Sequence, residues 1–210
     1  MRTLCALSTL IFSTVGTLAA GSTVLFESAP LENVGTALGE VNSATVSQFV
    51  YTGVRFELTD PVITSAIGGH FVGDGEFFGA LVELDDADDV PDSTDLTTDD
   101  VLGVVAAEFP SPSAEVLADL SIRLSPDWYA IAFGSGLFGV GGNGGMPVSS
   151  VGVAPGSFIT TRPQASTWNQ RANDAPVQRI VLMGTVVPEP SSFVVTTICC
   201  CLAGAGRLND

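Results

Sequence analysis

Hydrophobic residues in this chain recur at every second position, and that period constrains the fold more than anything else in the sequence. Val116, Ala118, Leu120, Ile122 and Leu124 fall on one face, with Leu117, Asp119, Ser121 and Arg123 on the other. Val54, Phe56 and Leu58 alternate with Arg55 and Glu57, and Phe78, Ala80, Val82 and Leu84 make a third row. Successive side chains of a strand point to opposite faces, so a period of two marks a strand with one buried side. The stretch Pro112–Leu124 contains good helix formers, but its strict alternation favours a strand. Further strands are expected at Ala44–Tyr51, Ile63–Phe71, Val101–Phe109, Trp128–Phe133, Ser157–Thr161 and Arg179–Val187. Turn chemistry separates them at Thr59-Asp60-Pro61, Gly73-Asp74-Gly75, Ser125-Pro126-Asp127 and Ala154-Pro155-Gly156. About nine short strands with such punctuation predict an all-β domain over residues 22–186, an antiparallel β-sandwich of jelly-roll type.

The two ends read differently. Arg2 precedes an apolar run from Leu4 to Leu18, and Leu18-Ala19-Ala20-Gly21 supplies small residues. This is the pattern of a secretory signal peptide over residues 1–21, removed by a signal peptidase between Ala19 and Ser22. At the other end, Pro188, Glu189 and Pro190 precede an apolar stretch that includes Phe193, Val194, Val195, Ile198, Leu202 and Ala203, and Arg207 follows as a basic stop. All four cysteines (Cys5, Cys199, Cys200 and Cys201) lie in these end segments, so the expected domain carries no disulfide.

The proline hinge, apolar segment and terminal arginine of residues 187–210 resemble the PEP-CTERM sorting signal of Gram-negative-type bacteria. The resemblance implies recognition and cleavage by a membrane-embedded sorting protease, an exosortase, and transient membrane anchoring through the C-terminal segment. Stretches such as Phe78–Leu84, Leu124–Ala130 and Gly134–Gly139 also resemble β-sandwich ectodomains found in front of such tails. That likeness implies fold and location, with no activity attached.

Charge narrows the partners. Seven arginines, no lysine and 23 acidic residues give a net charge of −16. Nucleic acid is excluded as a partner, because phosphates must be neutralised by Lys and Arg. Eleven of the acidic residues lie between Asp74 and Asp100 with no basic residue among them. Ca²⁺ takes six to eight oxygens, and Asp85, Asp86, Asp88, Asp89, Asp92 and Asp95 are the candidate ligands. A solvated acidic loop is the alternative, and the spacing does not follow an EF-hand loop.

Other motifs are weaker. Gly134-Ser135-Gly136-Leu137-Phe138-Gly139 fits G-x-G-x-x-G, but the glycine-rich run after it cannot open the helix that a dinucleotide site requires, so 134–145 reads as a glycine loop. His70, the one histidine, follows Gly68-Gly69 at an expected strand end, and no G-x-S-x-G elbow accompanies it. Trp128, Tyr129 and Trp168 are candidates for a sugar-stacking platform, although adjacent Trp128 and Tyr129 must face opposite ways. The sequence therefore points to an exported, non-enzymatic cell-surface or extracellular-matrix protein with no catalytic residues, possible partners including extracellular polysaccharide. A carbohydrate- or Ca²⁺-binding adhesion module and a secreted hydrolase are the alternatives. An aromatic platform beside the acidic loop would favour the first, and His70 against a serine or two converging carboxylates would favour the second.

Overall fold

A computed structural model describes residues 21–34, 43–149, 151–153, 157–171 and 177–188. The described chain is all-β and antiparallel, as the alternation predicts. Its strands are β1 (Thr23–Glu27), β2 (Ser43–Ser47), β3 (Tyr51–Leu58), β4 (Val62–Leu84), β5 (Val101–Glu108), β6 (Ala114–Asp119), β7 (Arg123–Leu124), β8 (Asp127–Gly134), β9 (Gly142–Ser149), β10 (Phe158–Thr161), β11 (Asn169–Gln170), β12 (Val177–Gln178) and β13 (Ile180–Val186). A short 3₁₀ turn lies at Leu31–Asn33. Hydrogen bonding joins the strands in the order β1-β13-β4-β8-β3-β10-β11, with β5, β6, β7 and β9 also on β4.

β4 organises the sheet. Its first half pairs with β13 and β6, and its second half with β8 and β5. Between the halves, Gly73-Asp74-Gly75 was expected to be a turn; instead the strand runs through it as a bend. Gly75 takes φ +78°, which a residue with a Cβ rarely adopts, while Val72–Gly75 stay paired with Gly142–Gly145 of β9. Pairing on β9 keeps the segment in the ladder, so a turn signal becomes a corner in one long strand. The bend curls the sheet over on itself. Phe71 before it meets Phe77 after it, with ring centroids 4.3 Å apart, and meets Phe133 of β8 at 5.0 Å.

β9 was expected to belong to a glycine loop. It is a strand because its glycines admit close neighbours: a Cβ on Gly144 would stand 2.6 Å from the ring of Phe109. The 112–124 segment is extended, with β6 and β7 facing β4, and Ala114–Asp119 alternates half-buried and exposed residues.

Two apolar clusters result. The main one lies inside the curl and includes Phe56, Ile67, Phe71, Leu81, Ile131, Phe133, Ile180 and Leu182. The second includes Phe78, Ala80, Val82, Ala130 and Ala132, which alternate along β4 and β8 with members of the first and therefore lie on the opposite face. Leu96 and Val90 from the acidic segment, Val140 and Leu137 from the 135–141 loop, and Trp168 cover it. The start of β1 and the end of β13 lie side by side. Thr23 of β1 pairs with Gly184 of β13, and the Val187 amide donates to the carbonyl of Pro61 at 2.8 Å.

Candidate functional site

The acidic segment connects β4 to β5 and crosses the outer face of the sheet as a strap. Its aspartates turn inward on their own backbone. Asp86 Oδ1 accepts from the amides of Asp88 at 2.8 Å and Asp89 at 3.1 Å. Asp89 Oδ2 accepts from the Asp85 amide at 2.9 Å, and its Oδ1 accepts from Val90 at 2.8 Å. Asp100 Oδ2 accepts from Asp92 at 3.0 Å. Asp95 Oδ1 accepts from the Thr97 hydroxyl at 2.8 Å. Hydrogen bonds from Thr97 and then Ser93 hold the Asp95 carboxyl below its ordinary value. These are Asx-type turns, in which an aspartate replaces the partner that an irregular backbone lacks.

The strap is fastened to the sheet at several points. Arg55 of β3 is 4% exposed, and its Nη1 donates to the carbonyl of Asp89 at 3.0 Å. Burial lowers its guanidinium below the ordinary value, opposed by the fields of Asp88, Asp89 and Asp86. Trp168 Nε1 donates to Ser93 O at 2.9 Å, Thr94 Oγ1 to Ala165 O at 3.0 Å, and Gln170 Nε2 to Asp88 O at 3.2 Å. Leu96 is 2% exposed beneath the strap although its φ is +53°, a backbone strain offset by burial of the side chain. Tyr51, on the same face, is pushed up to about 12 by burial and then by the charge of Asp95.

A shallow pocket of about 130 Å³ opens on the strap, lined by Glu83, Leu84, Asp85, Asp89, Asp92 and Asp100. It brings together three of the six expected Ca²⁺ ligands (Asp85, Asp89 and Asp92), adds Glu83 and Asp100, and leaves Asp86, Asp88 and Asp95 outside its lining. Among the described residues no three His, Cys, Asp or Glu side chains are arranged to hold a metal ion. The six aspartates therefore do not fit a common Ca²⁺ shell, since several of their oxygens cap loop amides instead of converging. Reading the sequence also missed Arg55. The alternation puts it on the outer face of β3, and nothing in the local pattern shows that a distant segment will cover that face.

The remaining sites follow from the sheet. Tyr129 is in the inner cluster with its hydroxyl on Ser125 O at 2.9 Å, and Trp128 packs on the outer one, as adjacent strand residues must. Trp168 is 4% exposed, so no open three-ring platform forms. The glycine motif turns between β8 and β9, with Gly136 N donating to Val140 O at 2.9 Å, and a strand follows where a dinucleotide site needs a helix.

His70 lies inside β4 rather than at a strand end, because β4 continues to Leu84. It stands opposite Glu115 of β6, and its Nε2 lies 3.0 Å from Ser113 Oγ. Arg179 sits beside this pair. Its Nε donates to Glu115 at 2.6 Å, and its Nη1 to Glu27 and to Ala29 O, each at 2.6 Å. Burial opposes the Arg179 charge, but the hydrogen bonds to Glu27 and Glu115 outweigh it and raise the guanidinium above its ordinary value. The network ties β1 and β6 to Arg179, the residue between β12 and β13.

Of the expected sorting residues, Pro188 is described and exposed. Glu189, Pro190, Phe193, Val194, Val195, Ile198, Leu202, Ala203 and Arg207 lie outside the described residues, as do residues 1–20 and the four cysteines. No protein-family model matches the chain, and no curated protein matches it.

Proposed function

We propose that the chain is an exported, non-enzymatic cell-surface or extracellular-matrix protein processed through its PEP-CTERM-like tail. The observation that supports this reading is where the described strands start and stop. The described strands begin at Thr23 and end at Val186, next to the borders that the sequence sets for the export and sorting segments. The start of β1 pairs with β13 near its end, and removal of residues 1–21 and cleavage after the Pro-Glu-Pro region would spare every described strand. Intact-mass analysis of the native protein tests the proposal. The expected species begins between Ala20 and Ser22 and has lost the tail that follows the Pro188-Glu189-Pro190 region; a major form retaining both Met1 and Asp210 refutes it.

A second reading, a secreted hydrolase, is favoured by the contact of Ser113 Oγ with His70 Nε2. A serine beside an imidazole is the start of a nucleophile–base pair. It ranks second because the nearest carboxylate in register, Glu115, is engaged by Arg179. Labelling with a fluorophosphonate decides it: modification of Ser113 that is lost in His70→Ala supports hydrolysis, and an unlabelled chain removes it.

A further inference from the structure

The strap covers one outer face of the sheet and leaves another open. Val62, Ile67, Ile180, Leu182 and Val116 turn into the curl, so their neighbours along β4, β13 and β6 turn outward. Register sets these outward residues side by side, because directly opposed residues of antiparallel strands share a face. One row runs Val24–Met183–Ala66–Asp119 from β1 across to β6. The row on one side of it is Thr185–Ile63–Arg123, and the row on the other is Glu27–Val181–Gly68–Leu117. Val24 is 48% exposed, Ile63 and Leu117 are 43% exposed, and Met183 is half-buried between them. Apolar side chains scattered singly over a surface need no explanation, but these are contiguous across four strands.

Charge selects a second copy of the chain as the occupant. A net charge of −16 makes most of the surface repel a copy. Around this face the carboxylates of Glu27, Glu115 and Asp119 stand against the guanidiniums of Arg123 and Arg179, which nearly balances it. Arg179 is buried between Glu27 and Glu115, whereas Arg123 is exposed and the ion pairs among the described residues do not include it. Glu27 accepts from Arg179 through Oε2 but keeps its side chain 43% exposed, which leaves it open to a second guanidinium. With about 4.8 Å between strands and about 3.3 Å per residue, Arg123 and Glu27 stand at opposite corners of the patch. A two-fold axis lying in the interface along the other diagonal, through Leu117, carries Arg123 of each copy onto Glu27 of the other. It also carries Ile63 onto Val24 and Leu117 onto itself. The strands of the two copies then cross near a right angle, one of the two ways in which sheets stack. Asp119 is the charge left without a counterpart.

We propose that the outer face of β1, β13, β4 and β6 is the contact of a two-fold dimer of this chain, with Leu117, Ile63 and Val24 at its centre and Arg123–Glu27 pairs at its ends. The proposal goes beyond the surface reading above and does not depend on it. The patch covers roughly 400 Å² per copy, about half of the roughly 800 Å² in a standard interface, so the dimer is a weak one. Sedimentation velocity of the full chain tests it, with monomer expected near about 1 µM and mostly dimer near about 500 µM. Leu117→Asp should weaken dimerisation at least about tenfold and Arg123→Glu at least about threefold, while Asp119→Asn should tighten it. These positions are exposed, so the melting midpoints should stay within a few degrees of wild type. A second measurement reads the position of the axis. Leu117→Cys treated with a short bis-maleimide should give a peptide linked 117 to 117 on digestion, which is distinct by mass from links through the cysteines at the chain ends. A wild-type chain that stays monomeric at about 500 µM overturns the proposal. So does a dimer that Leu117→Asp leaves unchanged, which would place the association elsewhere, or a dimer that yields no 117–117 link. Flotation of a monomeric chain with phosphatidylcholine vesicles, lost in Leu117→Asp, would make the face lipid-facing and overturns it as well.

Discussion

Arg55→Met is the most informative single perturbation, because Arg55 is the cation that the sheet offers to the acidic strap. The replacement keeps an unbranched side chain of similar reach and removes the charge at a position that is 4% exposed. The hydrogen bond from Nη1 to Asp89 O joins a charged donor to a carbonyl, an interaction worth about 1.5–3 kcal/mol. The fields of Asp86, Asp88 and Asp89 add to the loss, while the desolvation that lowers the guanidinium is relieved. These last two effects oppose one another, so a net loss of about 2–3 kcal/mol is expected. At roughly 2–4 °C per kcal/mol for a domain of this size, the melting midpoint should fall by about 4–12 °C. Two further signatures identify the cause. Hydrogen exchange should accelerate in residues 85–100 before it does so in β13. Added NaCl should recover more stability in the variant than in wild type, since aspartates without a countercharge repel and salt screens them. Arg123→Met, at an exposed position of β7, is the control and should move stability by less than about 0.5 kcal/mol. An Arg55→Met chain melting within about 1 °C of wild type, or destabilised with unchanged exchange in the strap, would refute the fastening role.

Three further outcomes are expected. Leu96→Ala should cost about 2–5 kcal/mol for the emptied space, and Leu96→Gly should cost less by up to about 1 kcal/mol, because alanine keeps the strained φ of +53° and glycine relieves it; paired chemical melts check the order, and alanine being the milder change would refute the strain argument. Millimolar CaCl₂ should raise the melting midpoint no more than NaCl of equal ionic strength, with EDTA without effect, because no three carboxylates among the described residues are arranged to hold a metal ion; a Ca²⁺-specific rise of 5 °C or more would restore the calcium site. Tyr51, raised to about 12, favours its neutral form in the fold, so its stabilisation is complete below pH 10 and is lost between pH 10 and about 12, a difference of about 2–3 kcal/mol; denaturation across that range should flatten in Tyr51→Phe, and an equally steep loss there would place the alkaline sensitivity elsewhere.

Local rules carried the strand class and failed wherever a distant segment decided the outcome. Val116, Leu120 and Ile122 pack against the core from the side of β6 and its flank that the alternation assigns to it, because one buried face forces period two. Gly73-Asp74-Gly75 fits turn chemistry equally well as a turn or as a corner, and pairing with β9, some seventy residues later in the chain, decides between them. β9 was hidden for a related reason: a run rich in glycine has poor strand propensity and forms one here because its neighbours leave no room for a Cβ.

The acidic segment shows the same limit at the candidate site. Eight aspartates between positions 85 and 100 look like a shell awaiting a cation when Arg55, thirty residues upstream, is left out. In the fold, the guanidinium reaches the strap from below, the aspartates cap the strap's own amides, and Leu96 and Trp168 seal its underside. Opposite charge was available in the chain all along, but sequence distance does not reveal which face of β3 the strap will cross. The same covering removes Trp168 from the surface, so its ring is core and not a platform. The φ of +53° at Leu96 has the same origin: burial of its side chain beneath the strap offsets the strain, and no rule local to that segment reports it.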